Sequence, residues 1–186
     1  MTVCADMKNP YIIPAIIIAA AILAGFWMLK PSSEPQFEPQ EVIIVRPAAA
    51  PPSMSIHDAA ESGNITAIKQ HLKAGTDVNA WKDKYLQTPL QFAIIHRHKE
   101  IVELLIAEGA DVNKGNLHRA TPLHIAAGGR KETAELLIAA GANVNARMDG
   151  GGTPLDTAIN FNHTETADLL RKNGGKTGEE LKAEGK

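Results

Sequence analysis

The tripeptide Thr-Pro-Leu stands at 88–90, at 121–123 and at 153–155, intervals of 33 and 32 residues. Self-similarity at that period means that one copy is a small unit unable to bury its own apolar face, so that copies must stack into a shared elongated core. Each tripeptide is followed by a leucine doublet and then a glycine: Leu104-Leu105 with Gly109, Leu136-Leu137 with Gly141, and Leu169-Leu170 with Gly174. A degenerate copy starts at Met54-Ser55-Ile56, runs through Ala59-Ala60 and Gly63, and ends at Gly75-Thr76-Asp77-Val78-Asn79.

Each feature has a mechanical role. The threonine hydroxyl caps a helix whose first position is a proline with its φ already set. Leu90, Ala93 and Ile94 follow at helical spacing, small enough for close helix packing. A second helix is predicted from near Lys99, with Ile101, Val102, Leu104 and Leu105 as its apolar stripe and Gly109 as a left-handed stop. Asp111-Val112-Asn113 then opens an irregular turn of residues that bond their own backbone. On Thr-Pro-Leu-His-Ile-Ala-Ala at 121–127 and Gly-Ala-Asp-Val-Asn at 109–113, the chain resembles the ankyrin-repeat family, over about two thirds of its length. The resemblance implies an all-α solenoid of stacked helix-turn-helix units over 54–175, divided near 54–87, 88–120, 121–152 and 153–175.

Departures from the repeat pattern carry expectations of their own. Thr121 to Gly141 spans 20 steps where Thr88 to Gly109 and Thr153 to Gly174 span 21, which places a tighter turn near Gly128-Gly129-Arg130. Repeat four has Asp156 in place of the family's histidine and turns polar at Asn160, Asn162, Arg171 and Lys172, as a terminal unit would. The charged tail 176–186 is expected to fray, with a helical turn or two available from Gly178. His57 and His124 are taken as equivalent positions, hydrogen-bonding between repeats.

The first 53 residues have a different chemistry. Tyr11 to Leu29 carries no charged side chain, and at ~1.5 Å per helical residue it reaches roughly 28 Å, about the thickness of a hydrocarbon core. The expectation is a short tail at 1–10, a single transmembrane signal anchor at 11–29 with interfacial Tyr11 and Trp27, and the rest of the chain exported. The alternative is a signal peptide, for which Ala19 and Ala21 supply small residues, leaving an exported soluble protein. Six prolines between Pro31 and Pro52 make 30–53 a tether. The apolar run Val42 to Val45 within it interrupts the tether or adds a strand to a neighbour. That run motivates a second function, a structural or inhibitory module masking a membrane neighbour.

Reaction chemistry is not legible. A single cysteine excludes an internal disulfide or thiolate cage, and 19 basic against 21 acidic side chains give no excess for gathering nucleic-acid phosphates. Neither a metal nor a cofactor is expected, since the seven histidines have no ligand spacing and Gly175-Lys176-Thr177 lacks the earlier glycine of a phosphate loop. Function therefore falls on a recognition surface, a non-enzymatic scaffold binding an unidentified protein. The resemblance puts that surface on the fingers 80–87, 114–120 and 146–152 and on the concave ends of the first helices. Candidate contacts are Trp81, Tyr85, Leu117, His118, Arg147 and Met148 on fingers, and Ile95, His96 and Phe161 on the concave side.

Overall fold

The computed structural model describes residues 52–185; the expected anchor 11–29, and the tether up to residue 51, lie outside the described residues. Among the described residues no helix is long and apolar enough to cross a membrane. The described residues form four helix pairs, α1 Ile56–Ser62 with α2 Ile65–Lys73, α3 Pro89–Ile95 with α4 Lys99–Ala107, α5 Pro122–Ala127 with α6 Lys131–Ala139, and α7 Pro154–Asn160 with α8 Thr164–Lys172. A ninth helix, α9, spans Gly178–Ala183. No strand is formed among these residues beyond an isolated antiparallel bridge between Lys82 and Gln87.

The first helices of the three Thr-Pro units open on the predicted cap. Thr88 accepts the Gln91 N–H at 3.3 Å while the Gln91 side chain accepts the Thr88 N–H at 3.1 Å, closing a reciprocal box with Pro89 inside it. Second helices stop on glycines in the left-handed region, Gly109 at φ 86° and Gly141 at φ 89°. Along the stack the second leucine of each doublet, Leu105, Leu137 and Leu170, is wholly buried, and all three belong to one continuous core with Leu90, Leu123 and Leu155. Burying such a side chain contributes about 1.5–3 kcal/mol.

An asparagine staple joins each unit to the next. Asn79, Asn113 and Asn145 donate their side-chain amides to the carbonyls of Gly109, Gly141 and Gly174, at 3.3, 3.2 and 3.0 Å. Their Oδ1 atoms accept the N–H groups of Asp111, Asn143 and Lys176, at 2.8, 2.7 and 2.8 Å. Each Asn is itself preset by an Asx turn, as where Asp111 Oδ1 accepts the Asn113 N–H at 2.8 Å.

The structure refines two expectations. First, His57 makes the expected bond between repeats, its Nε2 2.8 Å from the Ala80 carbonyl just after Asn79 as Gln91 Nε2 is 3.1 Å from the Lys114 carbonyl just after Asn113, but α1 starts one residue late, with Ser55 accepting the Asp58 N–H at 3.1 Å. Because of that late start the caps at Ser55 and Asn64 stand nine steps apart, like Thr121 and Arg130, whereas Thr88 and His98 stand ten apart. Second, residues from Lys176 onward do not simply fray. Thr177 caps α9 in a box with Glu180, Arg171 pairs with Glu180 at 2.7 Å, and Leu181 is buried.

Candidate functional site

The fingers are built as a row of tight turns in backbone contact. In the first, Lys82 and Gln87 exchange backbone bonds at 2.9 and 3.3 Å, and Asp83 and Leu86 take left-handed conformations to close the loop. The Leu117 N–H then donates to the Tyr85 carbonyl at 2.8 Å, and the Asp149 N–H to the His118 carbonyl at 3.0 Å. Adjacent finger tips are thus held edge to edge.

Three large apolar side chains project from the first two tips: Trp81 is 55% exposed, Tyr85 46% and Leu117 48%. Burial gives no reason for their placement. The Lys114 ammonium lies 4.1 Å from the Trp81 ring centroid while donating to the Asn79 carbonyl at 2.9 Å, so it ties the indole to the preceding turn. Lys84 lies 5.0 Å from the Tyr85 ring. His118 is exposed beside Leu117, whereas Arg147 and Met148 of the third finger are half-buried. On the concave side Ile95 is half-buried, His96 is exposed within 3.9 Å of Glu61, and Phe161 is 66% exposed. The expected contacts therefore separate into a finger group around Trp81, Tyr85, Leu117 and His118, and outlying positions that the fold does not bring to it.

The third residue of each first helix reaches the segment that follows its second helix, with matched polarity. Asp58 pairs with the Lys82 ammonium, which holds that carboxyl at about 2, helped by the Ser55 hydroxyl. Gln91 donates to the carbonyls of Lys114 and Ala120, both at 3.1 Å. His124 Nε2 donates to the Gly152 carbonyl at 3.3 Å, and its Nδ1 accepts from the Thr121 N–H at 3.1 Å. Asp156 meets no finger; its Oδ2 accepts the Gly178 N–H at 2.8 Å. Donors face carbonyls and carboxylates face donors, which explains why the histidine of this position is replaced by aspartate in the fourth unit.

The other histidines have structural posts that the sequence pattern missed. His71 takes the place of the buried leucines and bonds the Met54 carbonyl at 2.7 Å and the Thr76 hydroxyl at 3.2 Å. His98 lies over Gly63 and reaches the Glu61 carbonyl at 2.9 Å, and His163 lies over Gly129 in the same way. Arg130 fills the equivalent place in the third unit and donates to the carbonyls of Ile95 and Ile125 at 3.0 and 3.1 Å. Burial pushes both His57 and His124 below the usual imidazole range. An open cleft between the interhelical turns of the last two pairs is lined by Gly129, Lys131, Glu132, His163 and Glu165, with Lys131 and Glu165 paired across it. Among the described residues no group of three or more His, Cys, Asp or Glu side chains is placed to hold a metal ion.

Stacked two-helix units with protruding fingers, shared core and stapled joints define an α-helical repeat protein whose outer face is its working surface. The model for ankyrin repeats (3 copies) matches residues 56–148, half of the chain, and this protein belongs to the ankyrin-repeat family, an interaction fold rather than a catalytic one. It is similar to the 2-5A-dependent ribonuclease of Mus musculus, 36% identical over 72 residues, covering 39% of this chain and 10% of the ribonuclease. It is also similar to the transient receptor potential cation channel subfamily A member 1 of Homo sapiens, 28% identical over 124 residues, covering 65% of this chain and 11% of the channel. The E3 ubiquitin-protein ligase Ufd4 of Drosophila melanogaster is 38% identical over 122 residues, covering 63% of this chain and 4% of the ligase. The chain thus spans only about a tenth or less of the length of these relatives.

Proposed function

We propose that this chain is a non-enzymatic docking scaffold of four ankyrin repeats, held at a membrane by the charge-free segment 11–29 and a proline-rich tether, that takes a protein partner on its fingers. One observation carries the docking site: Trp81, Tyr85 and Leu117 stand together in solvent on two tips locked by the Leu117 to Tyr85 backbone bond. Large rings at a rigid, exposed site are the composition of interface anchors, and nothing in the folding of the units requires them there. The fourth helix pair shares the Thr-Pro-Leu cap and the staple to its neighbour, which supports counting it with the three repeats matched by family.

Site-specific photo-crosslinking tests the docking face. A photoreactive phenylalanine analogue at positions 81, 85 or 117 of the full chain is expected to capture the same partner, and one at Glu103 or Glu135 on the second helices none. Capture from the second helices alone would refute the assignment. The membrane part has its own test. Protease added to intact cells should digest the repeats if they are exported on an uncleaved anchor, and spare them if they face the cytosol.

A further inference from the structure

The finger tips are not electrically neutral. The first two fingers carry Lys82, Lys84, Lys114 and Arg119 against one carboxylate, Asp83, and that carboxylate accepts the Tyr85 N–H at 2.7 Å. Of these cations Lys82 is paired with Asp58, while Lys84 and Lys114 lie over the Tyr85 and Trp81 rings. Arg119, exposed and in a left-handed conformation, stands two residues beyond Leu117 in the same tip. The apolar patch is therefore rimmed by ammonium and guanidinium groups. Behind it, the second helices of the middle pairs show the opposite balance: Glu100, Glu103, Glu132 and Glu135, with Lys99 turned to Glu103 at 3.9 Å and Lys131 to Glu165 at 3.1 Å. A negatively charged ligand is drawn to the tips and repelled from the back of the stack, which orients its approach as well as its docking.

We infer that the partner presents an acidic segment bearing bulky apolar side chains, its carboxylates meeting Lys84, Lys114 and Arg119 while its apolar groups cover Trp81, Tyr85 and Leu117. This rests on the finger assignment above and adds the chemistry of the ligand. A few exposed charge pairs of this kind are worth about a tenfold preference together, and that preference is screened by salt.

Peptides of alternating glutamate and leucine, with serine–leucine and lysine–leucine counterparts, provide the probes. They are titrated onto the full-length chain in detergent, with Trp27→Phe leaving Trp81 as the reporting tryptophan. The expected result is that the glutamate peptide shifts Trp81 emission and binds about tenfold tighter than the serine peptide at low salt. The advantage should vanish at high salt and pass to the lysine peptide in Lys84→Glu/Arg119→Glu, two exposed positions whose reversal leaves helical circular dichroism unchanged. If serine–leucine or lysine–leucine binds wild type as well as glutamate–leucine while still shifting Trp81, the acidic chemistry is wrong and the finger site stands. If glutamate–leucine binds without moving Trp81 and with undiminished affinity to Trp81→Ala/Leu117→Ala, the finger site itself is wrong. A Trp81 shift on phosphatidylglycerol vesicles but on none of the peptides overturns the inference in favour of a lipid surface.

Discussion

Replacing Asp156 by histidine restores the family's residue at this position, and the geometry says that it destabilises this chain. Asp156 Oδ2 accepts three bonds, from the Thr153 N–H at 2.9 Å, the Thr153 hydroxyl at 3.0 Å and the Gly178 N–H at 2.8 Å. His124 shows what an imidazole does in the same place: Nδ1 takes over the two threonine bonds and Nε2 donates to a finger carbonyl. In the fourth unit that second nitrogen finds the Gly178 N–H, a donor, so one charge-assisted bond is lost and the start of α9 loses its acceptor. Such a bond is worth about 1.5–3 kcal/mol when buried, and a half-buried carboxylate brings the expectation to about 1–2 kcal/mol. Urea unfolding of the full chain, followed by far-ultraviolet circular dichroism, should show the midpoint falling by about 0.5–1 M at constant slope. Asp156→Asn keeps an acceptor oxygen and should cost less than half as much. A histidine variant as stable as wild type, or more so, would refute the donor–acceptor account of this position.

The joints and the core supply further tests. Asn113→Ala removes the staple bonds at 3.2 and 2.7 Å and should lower stability by about 1–2 kcal/mol in the same urea assay, whereas Asn113→Asp, which keeps the acceptor, should lose about half of that. Gly129→Ala places a Cβ 2.7 Å from the His163 ring at φ 100° and should cost more than about 1 kcal/mol; adding His163→Ala should recover the contact part of that loss but not the backbone part. His57 and His124 are held neutral in the fold by burial, while an unfolded imidazole titrates near 6.5. Their contribution is therefore intact above about pH 6.5 and lost as pH falls below it, and His124→Gln, which copies the amide of Gln91, should flatten the slope of melting temperature against pH in that window. Leu137→Ala, at a wholly buried point of the seam, should cost about 2–5 kcal/mol.

The units themselves were legible because their signals are local. Thr-Pro caps, glycine stops and leucine doublets each act within one helix pair, and the structure places all of them as the spacing predicts. What was not legible lies between units. The late start of α1 at Ser55 is not visible in Met54-Ser55-Ile56, although His57 still reaches the Ala80 carbonyl as its match to His124 implies. Asp156 looks like an arbitrary polar substitution until the Gly178 N–H is seen facing it. His98 and His163 have no ligand spacing because their partners are glycines of the preceding unit, more than thirty residues back. The recurrence of Asn79, Asn113 and Asn145 was visible, but one period cannot tell a solvent-facing turn residue from one that bridges two turns. On the fingers, the resemblance put Trp81 and Tyr85 in a loop, whereas their exposure and the lysines over their rings required coordinates.

Short and long units alternate along the stack, and the alternation has a grammar. Units with nine steps between caps offer a bare glycine, Gly63 or Gly129, and the ten-step unit after each lays an imidazole on it; at the middle joint Arg130 grips the Ile95 carbonyl instead. The letters of this array are therefore doublets. Duplicating the second unit would press His98 onto Arg97, which stands where Gly63 and Gly129 stand, so lineages of such chains should lengthen and shorten by twos, and grafts cut at the arginine joint should transplant most cleanly.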